Sequence, residues 1–316
     1  MSRRSALAQT ALAITAATAG DQLQAAAASE PTASKGSDHS FRFCLNTATI
    51  RGQKLGIVKE IEVAGQAGYD AIEPWVDSIQ EYVKNGGDLD DLKKRISDLG
   101  LVVESAIGFP EWIVDDDARR AKGLERAKRE MEMVAKIGGR RFAAPPAGAT
   151  DLPKLDLAKA TERYRTLLEA GDQIGLVPQL ELWGFSKNLN HLGECVCVAM
   201  ETGHPKACVL ADVFHLHKGG SDIHGLRMLA NGAVQVLHMN DYPGEPPREK
   251  IDDSFRVYPG DGVAPIVDIL KALQAMGGQK VLSLELFNRK YWSEDPLSIA
   301  KAGLTKMKAV VQKASA

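Results

Sequence analysis

The chain has 316 residues, 44% apolar and 25% charged, and its 39 basic side chains against 41 acidic ones leave a net charge of −2. That length supports one large or two modest domains with a well-buried core, and the balanced charge offers no electrostatic footprint for nucleic acid or an anionic membrane. Ample Leu, Ile and Val at low net charge exclude general disorder, and four cysteines in so long a chain do not build a disulfide scaffold, which leaves a globular enzyme or ligand binder.

Residues 1–28, MSRRSALAQTALAITAATAGDQLQAAAA, depart from the globular pattern. Arg3 and Arg4 precede a weakly apolar Ala/Leu/Ile run that ends in Ala-x-Ala sites, the layout of an export signal, and the paired arginines resemble the twin-arginine type. The run from Ala6 to Gly20 contains Gln9, Thr10, Thr15 and Thr18, too short and too polar a stretch for stable membrane insertion. The expectation is a signal peptide over 1–28, a flexible leader over 29–40 and a periplasmic mature protein; a leader retained in the cytosol is the alternative. Loss of Arg3, Arg4 and Asp21 with the leader shifts the net charge only from −2 to −3. Twin-arginine export carries folded cargo, which suits a protein that takes up a metal before crossing the membrane.

From Phe41 onward, short apolar runs alternate with amphipathic stretches in eight pairs. Strands are expected over 41–46, 69–75, 101–109, 139–147, 177–185, 207–215, 234–241 and 280–288. Helices are expected over 57–67, 88–99, 118–137, 157–174, 191–202, 222–231, 263–277 and 296–313. Gly68, Gly100, Gly138, Gly175, Gly203 and Gly277 stand just past helix ends, as left-handed stops do. Eight βα units without a G-x-G-x-x-G after the first strand predict a closed α/β (β/α)8 barrel rather than a doubly wound sheet, a single domain over 41–316. The longest connection, from Tyr242 to about Val263, follows the seventh strand and would rise over the catalytic mouth.

Glu181, Asp212, His238 and Glu285 fall near the ends of strands five to eight, each inside an apolar run: QLELW, LADVF, VLHMN and LSLEL. Any one of them alone reads as a cap or a satisfied core residue. Four in phase on consecutive strands converge on one mouth, where three buried carboxylates cannot all stay ionised without positive charge among them. A divalent cation resolves this, and an O3N donor set favours Mn²⁺, Mg²⁺ or Co²⁺, with Zn²⁺ also compatible.

These residues carry a family resemblance. The series Glu181, Asp212-x-x-His215, His238, Glu285 resembles the xylose-isomerase-like superfamily, in particular its D-tagatose 3-epimerase, hydroxypyruvate isomerase and inosose dehydratase groups, from about Phe41 to Ala309. The resemblance implies one Mn²⁺-like ion on Glu181, Asp212, His238 and Glu285, with the two glutamates also moving the substrate proton. It further implies that His215 and Arg256, the latter in Arg256-Val257-Tyr258-Pro259-Gly260, contact substrate oxygens. Ketose 3-epimerases carry a second glutamate six residues after the first metal ligand; here that position is Lys187, a cation that implies an acidic or more oxidised group on the substrate. DNA-repair endonucleases of the same superfamily use three metal ions, more His ligands and a basic groove, a poor match to seven His and a charge of −2.

The chemistry follows from the residue types. A cation polarises a carbonyl and acidifies the neighbouring C–H; one glutamate takes that proton and a second returns one on the opposite face or to the adjacent carbon, which epimerises or isomerises the sugar. Glu181 and Glu285, three strands apart, are the expected pair. The alternatives are a lyase that expels a β-hydroxyl from the same enediolate, as in a sugar or inosose dehydratase, and a non-catalytic sugar-binding barrel. The expected partner is a small-molecule sugar, with no nucleic acid; a homo-oligomer is compatible with the chain. Trp183 is expected against the sugar, and Trp75, Phe287, Tyr291 and Trp292 either join it or pack the barrel top. Asp241 would orient a ligand or cap the following loop, Glu104 has only its strand position to recommend it, and all four cysteines read as small buried hydrophobes.

Overall fold

A computed structural model describes residues 41–316. The signal and leader expected over 1–40 lie outside the described residues. The strands are β1 Phe41–Asn46, β2 Ala71–Glu73, β3 Val102–Val103, β4 Arg141–Ala144, β5 Val177–Glu181, β6 Val209–Asp212, β7 Val234–Met239 and β8 Lys280–Leu284. The helices are α1 Ile57–Ala67, α2 Val76–Lys84, α3 Leu89–Asp98, α4 Asp117–Lys136, α5 Leu157–Ile174, α6 Leu192–Glu201, α7 Val213–Gly219, α8 Ile266–Ala275 and α9 Pro296–Ser315. All strand pairs are parallel, in the order β3-β2-β1-β8-β7-β6-β5-β4. At the remaining seam between β3 and β4, the Ala143 N–H donates to the Ala106 carbonyl at 2.9 Å. The predicted barrel is therefore present, with a helix layer outside it.

Several strands stop earlier than the apolar runs that encode them, each for a local reason. Pro74 follows β2, and Pro145-Pro146 follow β4; proline has no N–H for a ladder. The run expected as strand 207–215 ends at Asp212, whose carboxylate accepts the His215 N–H at 2.7 Å and starts α7. The helix expected over 222–231 is a short 3₁₀ turn, Ile223–Met228, while α2 was not anticipated. Gly68 and Gly175 close α1 and α5 with φ of 89° and 84°, a region where a side chain would clash.

Side-chain alternation divides the barrel into layers. Cys44, Ala71, Ala143, Leu210, Val236 and Val281 form a small apolar plug inside it. Their neighbours Leu45, Ile72, Phe142, Leu237 and Leu282 face the helices in the main core. Toward the strand N-termini lies a charged floor, where Glu104 accepts from Arg42, Arg140 and Arg141, the latter two at 2.8 Å. Above the plug, at the strand C-termini, the residues singled out above converge. Three cysteines are buried as expected, but Cys197 is exposed, because two-residue spacing turns it to the opposite face of α6 from Cys195.

Candidate metal centre and active site

Parallel register sets the level of the site. Asp212 pairs with His238, His238 with Ser283, and Asn46 with Glu73, while the Glu285 N–H donates to the Met239 carbonyl at 3.1 Å. Among the described residues, Asp212, His238 and Glu285 form a buried group whose ligand atoms all lie within 4.8 Å of one another. His238 Nδ1 stands 3.2 Å from Glu285 Oε2, 3.5 Å from Glu181 Oε1 and 3.7 Å from Asp212 Oδ2. In its distance from His238 Nδ1, Glu181 Oε1 lies between the oxygens of Glu285 and Asp212, so the four residues expected from the strand ends meet around one imidazole.

The donors fit a divalent ion. His238 Nδ1 and Glu181 Oε2 are buried without a hydrogen-bond partner, a costly state that a cation relieves. Two carboxylates and an imidazole suit Mn²⁺, Co²⁺ or Zn²⁺, with Glu181 adjacent as a further oxygen donor.

Residues around the group hold its members. His238 Nε2 lies 3.1 Å from Glu73 Oε2. Glu73 in turn accepts from Ser283 Oγ at 2.6 Å and from Asn46 Nδ2 at 3.0 Å. The same Asn46 amide donates to Glu285 Oε1 at 3.0 Å, and Asn240 Nδ2 donates to Asp212 Oδ2 at 3.1 Å. Such partners fix the ring orientation of a ligating histidine and the aim of ligating carboxylates. Asn46, Asn240 and Ser283 are not among the residues that the sequence singles out. The strand-end rule that found strands five to eight, applied equally to FRFCLN and YDAIEPW, points to Asn46 and Glu73.

Arg256, 1% exposed, reaches the site from the long β7–α8 connection. Its Nη1 donates to Asp212 Oδ2 at 2.7 Å and Glu285 Oε2 at 2.9 Å, and its Nη2 lies 3.2 Å from His215 Nε2. Asp241 anchors this connection by accepting the N–H groups of Tyr242, Gly260, Gly262 and Ala264 at 2.8–3.0 Å. A Cβ on Gly262 would sit 2.3 Å from Asp241 Oδ1, so glycine is required there. Of the two roles open to Asp241, the loop cap is the one seen. Glu104 belongs to the floor, not the mouth.

Electrostatics separate the two central glutamates. Burial, reinforced by the negative charge of Glu285, Asp212 and Glu73, pushes Glu181 up to about 8. Burial also acts to raise Glu285, but His238 and Arg256 outweigh it and hold that carboxyl below the usual range. Burial, with the nearby Arg256 charge, lowers His215 and favours its neutral form.

A cavity of about 230 Å³ opens above these groups, lined by Glu181, Trp183, His215, Arg256 and Glu285 together with Trp75, Ile107, Phe109, Phe185, Asp253 and Phe287. Lys187 is not brought to it. The chain turns at Trp183–Ser186, the Lys187 N–H bonds the Thr150 carbonyl, and the exposed ammonium donates to the Asp151 carbonyl at 3.1 Å. The charge reversal at that position therefore does not face the cavity, and the substrate group inferred from it loses its basis.

The chain is 27% identical over 273 residues to an inosose isomerase of Halalkalibacterium halodurans, covering 83% of this chain and 94% of that protein. It is 27% identical over 241 residues to an L-ribulose 3-epimerase of Mesorhizobium japonicum, covering 73% and 75%. Among solved structures, that of an IolI protein with a binding zinc atom superposes with a TM-score of 0.80 at 22% identity, over 86% of this chain and 98% of the other. The xylose isomerase-like TIM-barrel family matches residues 61–310, and the chain belongs to that family.

Proposed function

We propose that this protein is a divalent-metal-dependent isomerase or epimerase of carbonyl-bearing sugars, with Glu181 and Glu285 as its proton-transfer pair. The observation that carries the reading is that both carboxyls line one cavity beside the Asp212–His238–Glu285 group. Asp212, His238 and Glu285, with Glu181 adjacent, would hold the ion, Mn²⁺ first among the candidates; the inosose isomerase and ribulose epimerase relatives support a carbohydrate substrate, and the zinc atom of the IolI structure supports a divalent ion. When bound, the ion supplies Lewis-acid polarisation of a carbonyl and acidifies the adjacent C–H.

The chain's own residues do the rest. Glu181 on β5 and Glu285 after β8 are separated around the barrel by β6 and β7, so they approach a sugar ring from different sides. One carboxylate takes the proton from carbon and the other returns one to the opposite face or to the adjacent carbon. His215 and Arg256 line the same cavity and would hold substrate oxygens, with Arg256 offsetting developing negative charge. Trp183 offers an apolar face to sugar C–H groups.

Turnover of ketoses and inososes by metal-loaded protein, followed by NMR in D2O, tests the proposal. Deuterium should enter the carbon next to the carbonyl with substrate mass otherwise conserved. Loss of water would assign a dehydratase instead, and turnover without deuterium uptake would remove the glutamates from proton transfer.

A further inference from the structure

The charge of the cavity restricts what can enter it. Among the described residues lining it, Glu181, Asp253 and Glu285 carry carboxyls, Arg256 a guanidinium and His215 an imidazole; the others are aromatic rings and Ile107. Asp212 adds a fourth carboxylate, with Oδ2 at 2.7 Å from Arg256 Nη1. A divalent ion on the metal group would offset two of the four and Arg256 a third, which leaves no positive charge over for a substrate anion.

Arg256 itself has no open fork. Its Nε and Nη2 both donate to Asp253 Oδ1, its Nη1 donates to Asp212 Oδ2 and Glu285 Oε2, and Nη2 also faces His215 Nε2 at 3.2 Å. Every N–H of the guanidinium therefore has a partner in the chain. A sugar hydroxyl can share one of these bonds, whereas a carboxylate or phosphate takes two parallel N–H groups at once. The nearby cations are committed or lie outside. Arg51 stands 4.2 Å from the Trp75 ring centroid and donates to Asp77, and Lys187 donates to the Asp151 carbonyl. Arg289 and Lys290 are exposed and do not line the cavity.

Asp253 is the lining carboxylate that stands outside the metal group. It belongs to a 3₁₀ turn, Asp253–Phe255, in the β7–α8 connection, and Asp252 caps that turn by accepting the Ser254 N–H at 2.9 Å. Oδ1 of Asp253 takes both bonds from Arg256, and among the described residues Oδ2 accepts none. Its side chain is 34% exposed where that of Arg256 is 1% exposed, so it stands between the enclosed end of the cavity and the solvent. A carboxylate with an open oxygen accepts from a hydroxyl and repels another anion.

We propose that Asp253 determines specificity: it accepts a substrate hydroxyl and turns away sugars that carry a phosphate or carboxylate, so that the substrate is an uncharged carbonyl-bearing sugar. This rests on the function proposed above and narrows its substrate class. The acidic substrate group that Lys187 implies in the sequence is thereby replaced by a hydroxyl.

Calorimetric titration of the Mn²⁺-loaded protein compares D-fructose with D-fructose 6-phosphate and D-fructuronate, and D-ribulose with D-ribulose 5-phosphate. Each neutral ketose should bind about a hundredfold tighter than its anionic counterparts. Asp253→Asn, whose amide oxygen still accepts from Arg256, should narrow that ratio about tenfold, and Asp253→Glu should keep it. The ratio is the readout because a merely structural loss weakens both members of a pair alike. Equal affinity within a pair, binding of neither neutral ketose, or a ratio unchanged in Asp253→Asn would overturn the proposal. Selective binding of neutral ketoses without deuterium exchange would sink the isomerase reading and leave the selectivity standing. Exchange into the phosphorylated sugars as fast as into the neutral ones would do the reverse.

Discussion

The two ends of the barrel interior are both charged and are built on opposite plans. At the floor one carboxylate, Glu104, faces three guanidiniums, and Lys280 is occupied by the carbonyl and amide oxygens of Asn231 at 2.8 and 2.9 Å. At the mouth four buried carboxylates, Glu73, Glu181, Asp212 and Glu285, surround one imidazole and one guanidinium. The floor satisfies its carboxylate and leaves no buried atom of Glu104 without a partner, whereas the mouth leaves Glu73 Oε1, Glu181 Oε2 and His238 Nδ1 without a hydrogen-bond partner. Polar atoms satisfied within the chain serve stability, and atoms left waiting for a partner mark a place for one. The same asymmetry between strand N- and C-termini is general for this architecture.

Substitutions can break that contrast. Glu285→Gln should lower kcat by about 10³-fold while the protein remains folded, read as loss of deuterium incorporation in D2O; retention of near wild-type exchange would remove Glu285 from the chemistry. Exhaustive chelation should abolish turnover and Mn²⁺ or Co²⁺ should restore it, checked by metal analysis alongside rates. Activity that persists in metal-free protein would falsify the metal reading. At the opposite end, Glu104→Gln should cost about 1–2 kcal/mol of stability by denaturant titration, since it removes the shared carboxylate of three part-exposed guanidiniums, and leave kcat of the folded fraction unchanged. Equal losses of activity from the two ends would erase the distinction drawn between them.

Two smaller effects sharpen it. Glu73→Gln should weaken metal binding about 10–100-fold in competition with a chelator, because His238 loses the carboxylate that orients it, with a smaller change in kcat at saturating metal. Glu60 on α1 belongs to neither end and is a control for burial alone. Burial, with a further contribution from Asp77, raises it to about 7, against the opposing charge of Arg51. A carboxyl raised on folding favours the native state when protonated. Its contribution is complete below pH 4.5 and is lost as the pH rises through about 7. Glu60→Gln should therefore stabilise the protein by about 1–2 kcal/mol at pH 8 and by little at pH 4, measured as Tm across that range.

Much of this was legible in the chain. The alternation of runs and glycine stops predicted eight βα units, and α1 and α5 begin and end at the predicted residues. The phase of Glu181, Asp212, His238 and Glu285 at successive strand ends placed them at one mouth, because parallel strands in register present equivalent positions at one level. Strand ends were less legible where a local hydrogen bond competed with the apolar pattern, as where Asp212 turns β6 into α7. Asn46 is less legible because a polar residue at a single strand end looks the same whether it caps a loop or supports a ligand.

The sequence by itself determined the barrel, the residue types at its mouth and their approximate level, since hydrophobic period and strand-end position are local properties of the chain. Only the tertiary structure decided which of those residues meet. It set Glu181 beside the group of three, turned Lys187 outward to the Asp151 carbonyl, and brought Arg256 from a long connection onto Asp212 and Glu285. The reason is physical. The direction of a side chain in a loop depends on hydrogen bonds made to distant segments, such as the Lys187 N–H to the Thr150 carbonyl and the Gly260 and Gly262 N–H groups to the Asp241 carboxylate, and these have no counterpart in the period of the sequence.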